Sequence, residues 1–369
     1  MKASLFVPCT YRGPAEAPGW PSPAQAYSPA AAGETFRAAI DQCRLADEVG
    51  FDWVTVAEHH FSPFCITPNP MVLAGALTQA VKRAKIALLG ADIPILNPIR
   101  VAEEFAMLDA MSGGRVVAGM LRGTPNEYIT YNINPAESRG RFEEALQLIR
   151  MAWTEPEPFG WQGRYYQYKT ISIWPRPVQA PHPPIYMSGS SPESGEFAAR
   201  NRVGLGFAVT TLPLASKASR HYRNEAEKAG WSPTGDQIIY RVTCHVADTD
   251  EQALEDLNAA SAAARNASLS LALTRRTDEV IAGAGYYGRD EAQKGRVALA
   301  FSGDLKSRIE NGQILVGSPE TVAEQIRHIH AETGAGVLDL IPGPPHGDKA
   351  LKSIELIGTR LMPLVRELN

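Results

Sequence analysis

The sequence predicts a single α/β domain over residues 1–369, built as a (β/α)8 TIM barrel with loop insertions. Three observations lead there. Short apolar runs rich in β-branched residues alternate with longer segments of helical period, the pattern of βα units around a parallel sheet. Eight candidates of each kind can be counted. The first strand runs into Thr10-Tyr11-Arg12-Gly13-Pro14 instead of the glycine-rich turn that marks an open dinucleotide-binding sheet, so a closed barrel is the better reading.

The strands are expected near Ala3 to Pro8, Trp53 to Ala57, Ile86 to Ile93, Arg115 to Leu121, Pro184 to Ser188, Leu205 to Val209, Ile238 to Val246 and Val337 to Ile341. Among the helices, Phe36, Ala39, Ile40, Cys43 and Ala46 share one face, and Gly50 follows as a C-terminal cap. Val101, Phe105 and Leu108 repeat the period, as do Phe142, Ala145, Leu146 and Ile149. Val322, Ile326 and Ile329 do so behind Ser318-Pro319, an N-cap and a first-turn proline. Three segments break the alternation. Residues from about 9 to 34 carry Pro14, Pro18, Pro21, Pro23 and Pro29 without helical period, and read as a long loop over the carboxyl ends of the strands. Gly163 to Ile173 reads as a small hairpin, and residues from about 265 to 313 as a glycine-bearing insertion and candidate cover.

Composition narrows the function. The net charge is only −4 and no basic run is interleaved with aromatics, which argues against nucleic acid or an anionic membrane surface as partner. No stretch approaches ~18 uninterrupted apolar residues, and Met1 to Pro8 has no signal-peptide core, so a cytoplasmic protein is expected. Cys9, Cys43, Cys65 and Cys244 are scattered without C-x-x-C or zinc spacing, so buried thiols are expected, with neither disulfides nor a metal site.

The stretch Asp52 to Phe61 is an apolar strand that stops at Glu58-His59-His60-Phe61. In parallel α/β folds such carboxyl ends carry the reactive groups. Adjacent histidines on extended backbone point to opposite sides, so one of the two is expected to face a pocket. A structural pair bonded within a loop is the alternative.

With Gly50-Phe51-Asp52 and Glu58-His59-His60-Phe61, the chain resembles the bacterial luciferase-like flavin monooxygenase family. Asn69-Pro70, Asn97-Pro98-Ile99-Arg100, Leu108 to Arg115, Gly119-Met120-Leu121-Arg122-Gly123 and Gly317 to Ala323 follow in the family's order and spacing. The resemblance implies a TIM barrel using reduced FMN and O2, or in a sister branch the deazaflavin F420. It assigns His59 to the histidine beside the reacting flavin and His60 to a structural or substrate-side neighbour; Glu58 is a candidate to orient a histidine, with capping of the loop as the alternative. Arg122, whose fork of donors suits a phosphate, and Ser190, Ser191 and Ser194, at the start of a helix, match the cofactor's phosphate ligands. A surface salt bridge and plain helix caps are the alternative readings of these residues. Glu193, in the same turn, would compete with a phosphate unless it points away. Leu89-Gly90 falls where relatives place a non-proline cis peptide beneath the flavin, and Leu121 replaces luciferase's reactive cysteine.

The implied activity is insertion of one oxygen atom into a small, apolar organic substrate through a C4a-peroxyflavin, with FMNH2 supplied by a separate flavin reductase. A homodimer is implied as well. The alternatives are F420-dependent hydride transfer and a non-catalytic flavin-binding subunit. His59 and Arg122 together argue against the latter, and Tyr11, Trp20, Tyr27, Phe61 and Phe64 are candidate pocket aromatics.

Overall fold

Eight parallel strands close on themselves. The computed structural model describes residues 1–13, 20–189, 191–208, 210–264, 304–343 and 346–368. The strands run β1 (Lys2–Phe6), β2 (Trp53–Val56), β3 (Lys85–Asp92) and β4 (Val116–Leu121), then the antiparallel hairpin β5 (Phe159–Gln162) and β6 (Gln167–Ile171). They continue with β7 (Ile185–Ser188), β8 (Gly204–Phe207), β9 (Ile238–Val246), β10 (Ile314–Gly317) and β11 (Val337–Pro342). The ring is β1-β2-β3-β4-β7-β8-β9-β11, closed by β11 pairing with β1. Each expected strand falls on a ring member; Val209, the last residue of one expectation, lies outside the described residues. The strand not anticipated is β10, which pairs with β9 outside the ring, Ile314 opposite Thr243. Locally it is one more short apolar run, and only ring closure sets it apart.

The helices are α1 (Pro29–Glu48), α2 (Pro70–Ala80), α3 (Pro98–Ser112), α4 (Pro125–Thr130), α5 (Ser138–Thr154) and α6 (Pro192–Asn201). After them come α7 (Leu212–Lys228), α8 (Asp250–Ala264), α9 (Leu305–Glu310), α10 (Pro319–Thr333) and α11 (Asp348–Leu356). Ser28, Asn69, Asn97, Ser191 and Ser318 each accept a backbone N–H of the helix they precede, with a proline next in line. The Asn-Pro pairs of the sequence are therefore helix starts. One expectation is corrected here: the long first loop ends at Ser28 and not near residue 34, because Pro29 opens α1 where its prolines had suggested continued loop. Within the expected 265–313 insertion, residues 265–303 lie outside the described set and α9 follows.

Most of the core lies between the ring and its helices. Inside the ring, Trp53, Ala87, Leu89, Val117, Tyr186, Ile239 and Val337 form a separate apolar plug. Two residues further along β9 and β11 the interior turns polar. Arg241 Nε donates to Asp339 Oδ2 at 2.6 Å, its Nη2 donates to the Leu89 carbonyl at 3.0 Å, and Ser4 Oγ donates to Asp339 Oδ1 at 2.7 Å. The Arg241 guanidinium also lies 3.8 Å from the Phe6 ring centre.

The approach of β3 to β4 leaves no room at Gly119, where a Cβ would lie 2.1 Å from the Leu88 carbonyl oxygen. Gly119→Ala is expected to destabilise the protein by about 1–3 kcal/mol, since backbone has to move. Gly75, inside α2 with open space around it, should gain up to about 1 kcal/mol on substitution by Ala. Denaturant midpoints of the two variants check the contrast; equal effects would mean that the β3–β4 approach is not limiting.

Candidate active site

The carboxyl ends of the ring strands converge on one mouth, and the apolar run of β2 delivers Glu58, His59 and His60 to its edge. The two histidines do point apart. His60 is buried, its Nε2 3.0 Å from Glu58 Oε1, and its carbonyl accepts the Trp20 indole N–H at 2.9 Å. The His59 side chain keeps 33% of its surface, and its Nδ1 lies 3.2 Å from Glu127 Oε1. The hydrogen-bond partner of Glu58 is therefore the buried histidine.

Glu127 follows β4 and caps its own helix. Its Oε2 accepts the Thr124 amide at 3.2 Å and the Thr124 hydroxyl. Burial alone would raise its carboxyl, but the hydrogen bond and charge of His59, with Thr124, outweigh that and hold it below the usual range. A third buried carboxyl, Asp92 at the end of β3, donates its backbone N–H to Glu58 Oε2 at 3.1 Å. Gly123 lies against it, since a Cβ there would sit 3.0 Å from Asp92 Cγ. Burial, then the charges of Glu58 and Glu127, push the Asp92 carboxyl well above its ordinary value. Sequence reading missed both groups, although a signal existed. Asp92 ends an apolar run as Glu58 does, and Thr124-Pro125-Asn126-Glu127 is a capping-box pattern.

On the other side of the mouth, Arg122 leaves the end of β4 and its carbonyl accepts the Tyr128 hydroxyl. The start of α6 is close enough for the Arg122 charge to act on Glu193. Ser191 Oγ accepts the Ser194 amide at 3.3 Å and lies 3.1 Å from Ser194 Oγ. Ser190 lies outside the described residues. The Glu193 carboxyl is held low first by its own backbone amide and then by Ser191, with charge from Arg139 and Arg122. It thus folds over the helix start and does not point away. Between the two sides lies the floor, Leu89-Gly90, joined by a cis peptide bond. A Cβ on Gly90 would fall 1.9 Å from Leu121 Cγ, so the Leu121 side chain packs directly on the glycine and leaves no room for a larger residue.

The first loop is knitted to the loop after β2, with Tyr11 N–H donating to Pro63 at 2.8 Å and Ser22 N–H to Phe61 at 2.9 Å. The loop aromatics pair among themselves, Tyr11 with Tyr27 at 6.0 Å and Trp20 with Phe61 at 6.1 Å between ring centres. A cavity of about 360 Å3 at the opposite end of the barrel, lined by Arg150, His182 and Tyr186 among others, is remote from this chemistry.

A family model described as luciferase-like monooxygenase matches residues 14–336. The chain belongs to that family. It is 29% identical over 221 residues to the oxygenase component of the flavin-dependent trigonelline monooxygenase of Acinetobacter baylyi, covering 58% of this chain and 60% of that protein. It is 27% identical over 305 residues to 4-hydroxyprotoasukamycin monooxygenase of Streptomyces nodosus subsp. asukaensis, covering 80% and 77%. Among the first curated relatives matched, the chain spans about half their length, from 44% to 60%. Among solved structures, monooxygenase RslO1 from Streptomyces bottropensis superposes with a TM-score of 0.78 at 26% identity, over 98% of this chain and 99% of that one.

Asp92 makes a pH prediction. Its folded value lies above that of the unfolded chain, near ~3.9. Across the interval between the two values, the native protein holds a proton that the unfolded chain has lost, so this group's contribution falls as pH rises. Asp92→Asn removes that term. Its stability relative to wild type should grow by up to about 1.4 kcal/mol per pH unit within the interval, read from urea unfolding at pH 4 to 8. Parallel curves for the two proteins would mean that Asp92 ionises normally.

Proposed function

We propose that this protein is the oxygenase of a two-component system, taking reduced FMN from a separate flavin reductase and using O2 to place one oxygen atom in a small, apolar organic substrate. The observation that supports the reading is that Arg122, the start of α6, the Leu89-Gly90 cis peptide and the part-exposed, carboxylate-paired His59 all lie at the carboxyl-terminal side of the ring. The names of the monooxygenases it resembles support it. Arg122, Ser191 and Ser194 would hold the phosphate, with Ser190 beside them in sequence, and Leu89-Gly90 would lie under the ring. For a phosphate to sit on the start of α6, the Glu193 side chain has to swing out. Oxygen activation is the chemistry that reduced flavin supplies when bound. The chain's own share is binding, exclusion of water by the knitted loops, and a hydrogen bond or proton at His59, with His60 and Glu58 holding the loop from behind.

Exposed Val72 on α2 with Met107 and Met111 on α3 give the barrel wall an apolar patch that suits a homodimer. Among the described residues no helix is long and apolar enough to cross a membrane, and the four buried, unbridged cysteines fit a reducing cytoplasm.

His59→Ala is expected to keep the fold and FMN binding while losing most oxygenation, measured as O2 uptake coupled to product with a flavin reductase present. Unchanged turnover defeats the assignment, and activity only with F420, without O2 uptake, transfers it to hydride transfer. Arg122→Ala should weaken FMN by about 1.5–3 kcal/mol, the loss of a charged hydrogen-bond partner, in a fluorescence-quenching titration. An unaltered affinity removes Arg122 from the site.

A further inference from the structure

Two imidazoles and two glutamates stand side by side at the mouth, and the geometry divides them. Glu58 and His60 are both buried and serve each other. The imidazole that solvent reaches is His59, and its carboxylate comes from another element, 68 residues further along the chain. We infer that Glu127 is the positioning residue for His59: it takes the Nδ1 proton's hydrogen bond, fixes one tautomer, and leaves Nε2 as the free acceptor at the mouth. The inference rests on the proposed role of His59 and extends it to a carboxylate on α4.

The argument is one of donors and acceptors. An ionised carboxylate only accepts, so a contact of 3.2 Å between Nδ1 and Glu127 Oε1 requires the proton on Nδ1. Nε2 has no protein partner among the described residues. Glu127 is itself immobile: its side chain is 1% exposed and its other oxygen is occupied by the Thr124 amide and hydroxyl. With its carboxyl held low it stays anionic beside the ring. Around it stand Asp92, whose carboxyl is pushed up by burial and by Glu58 and Glu127, and Glu58, which is turned to His60. Arg122 and Glu127 flank the short β4–α4 connection, which the Tyr128 hydroxyl ties back to the Arg122 carbonyl.

The test uses the full chain in three variants. In wild type, 15N NMR of the imidazoles should show His59 in the Nδ1–H form. Glu127→Gln should lose that single tautomer and lower turnover roughly 10- to 100-fold at unchanged KM, with FMN affinity within about twofold. Glu127→Asp, which keeps the charge, should recover part of the rate and the tautomer. Thr124→Ala removes the cap contact and keeps the carboxylate, so it should leave the tautomer in place. A Glu127→Gln protein with the wild-type tautomer overturns the inference, as does a Thr124→Ala protein with the same losses, which would assign Glu127 to capping alone. If no oxygenase activity is found for the wild type, the tautomer measurement still decides the pairing, so the two readings fail separately.

Discussion

Closure of the eight-stranded ladder is the constraint on which everything else depends. A parallel sheet leaves no edge once β11 returns to β1, and every strand then ends on the same rim. Residues as far apart as Glu58, Asp92, Arg122 and Ser191 become neighbours of one opening because each lies just past the end of its strand or at its last residue. β10, added to β9 outside the ring, shows the alternative fate of an apolar run that closure does not need.

Closure also creates a buried volume that cannot be entirely apolar, since the rim groups need fixed partners. The structure meets this with pairs. Arg241 is neutralised by Asp339, which Ser4 also holds, and spends a further donor on the Leu89 carbonyl. His59 and His60 each have a glutamate of their own. Asp92, buried next to two carboxylates, is the group whose carboxyl is pushed well above its ordinary value. A buried charge without a partner is expensive, and the arrangement meets this by pairing or by an upward push on the carboxyl. Past the carboxyl ends of β2 and β4 this leaves a part-exposed imidazole, His59, and the Arg122 guanidinium close to the start of α6.

By itself the sequence determined the alternation of eight strands and helices, the proline-bearing helix starts, and the opposite facing of His59 and His60, because each is written in spacing over a few residues. The family motifs also marked Arg122, the serines and Leu89-Gly90 as candidates. Tertiary structure alone decided which acid serves which histidine, that β10 stays outside the ring, that Glu193 lies over the start of α6, and that burial beside Glu58 and Glu127 pushes the Asp92 carboxyl up. The start of α1 at Pro29 belongs between the two, for proline is equally at home in a loop and in a first helical turn. The physical reason is range. Period, capping and strand alternation act within about four residues, whereas His59 meets Glu127 and Glu58 meets Asp92 across 68 and 34 residues, contacts that exist only once the barrel has closed.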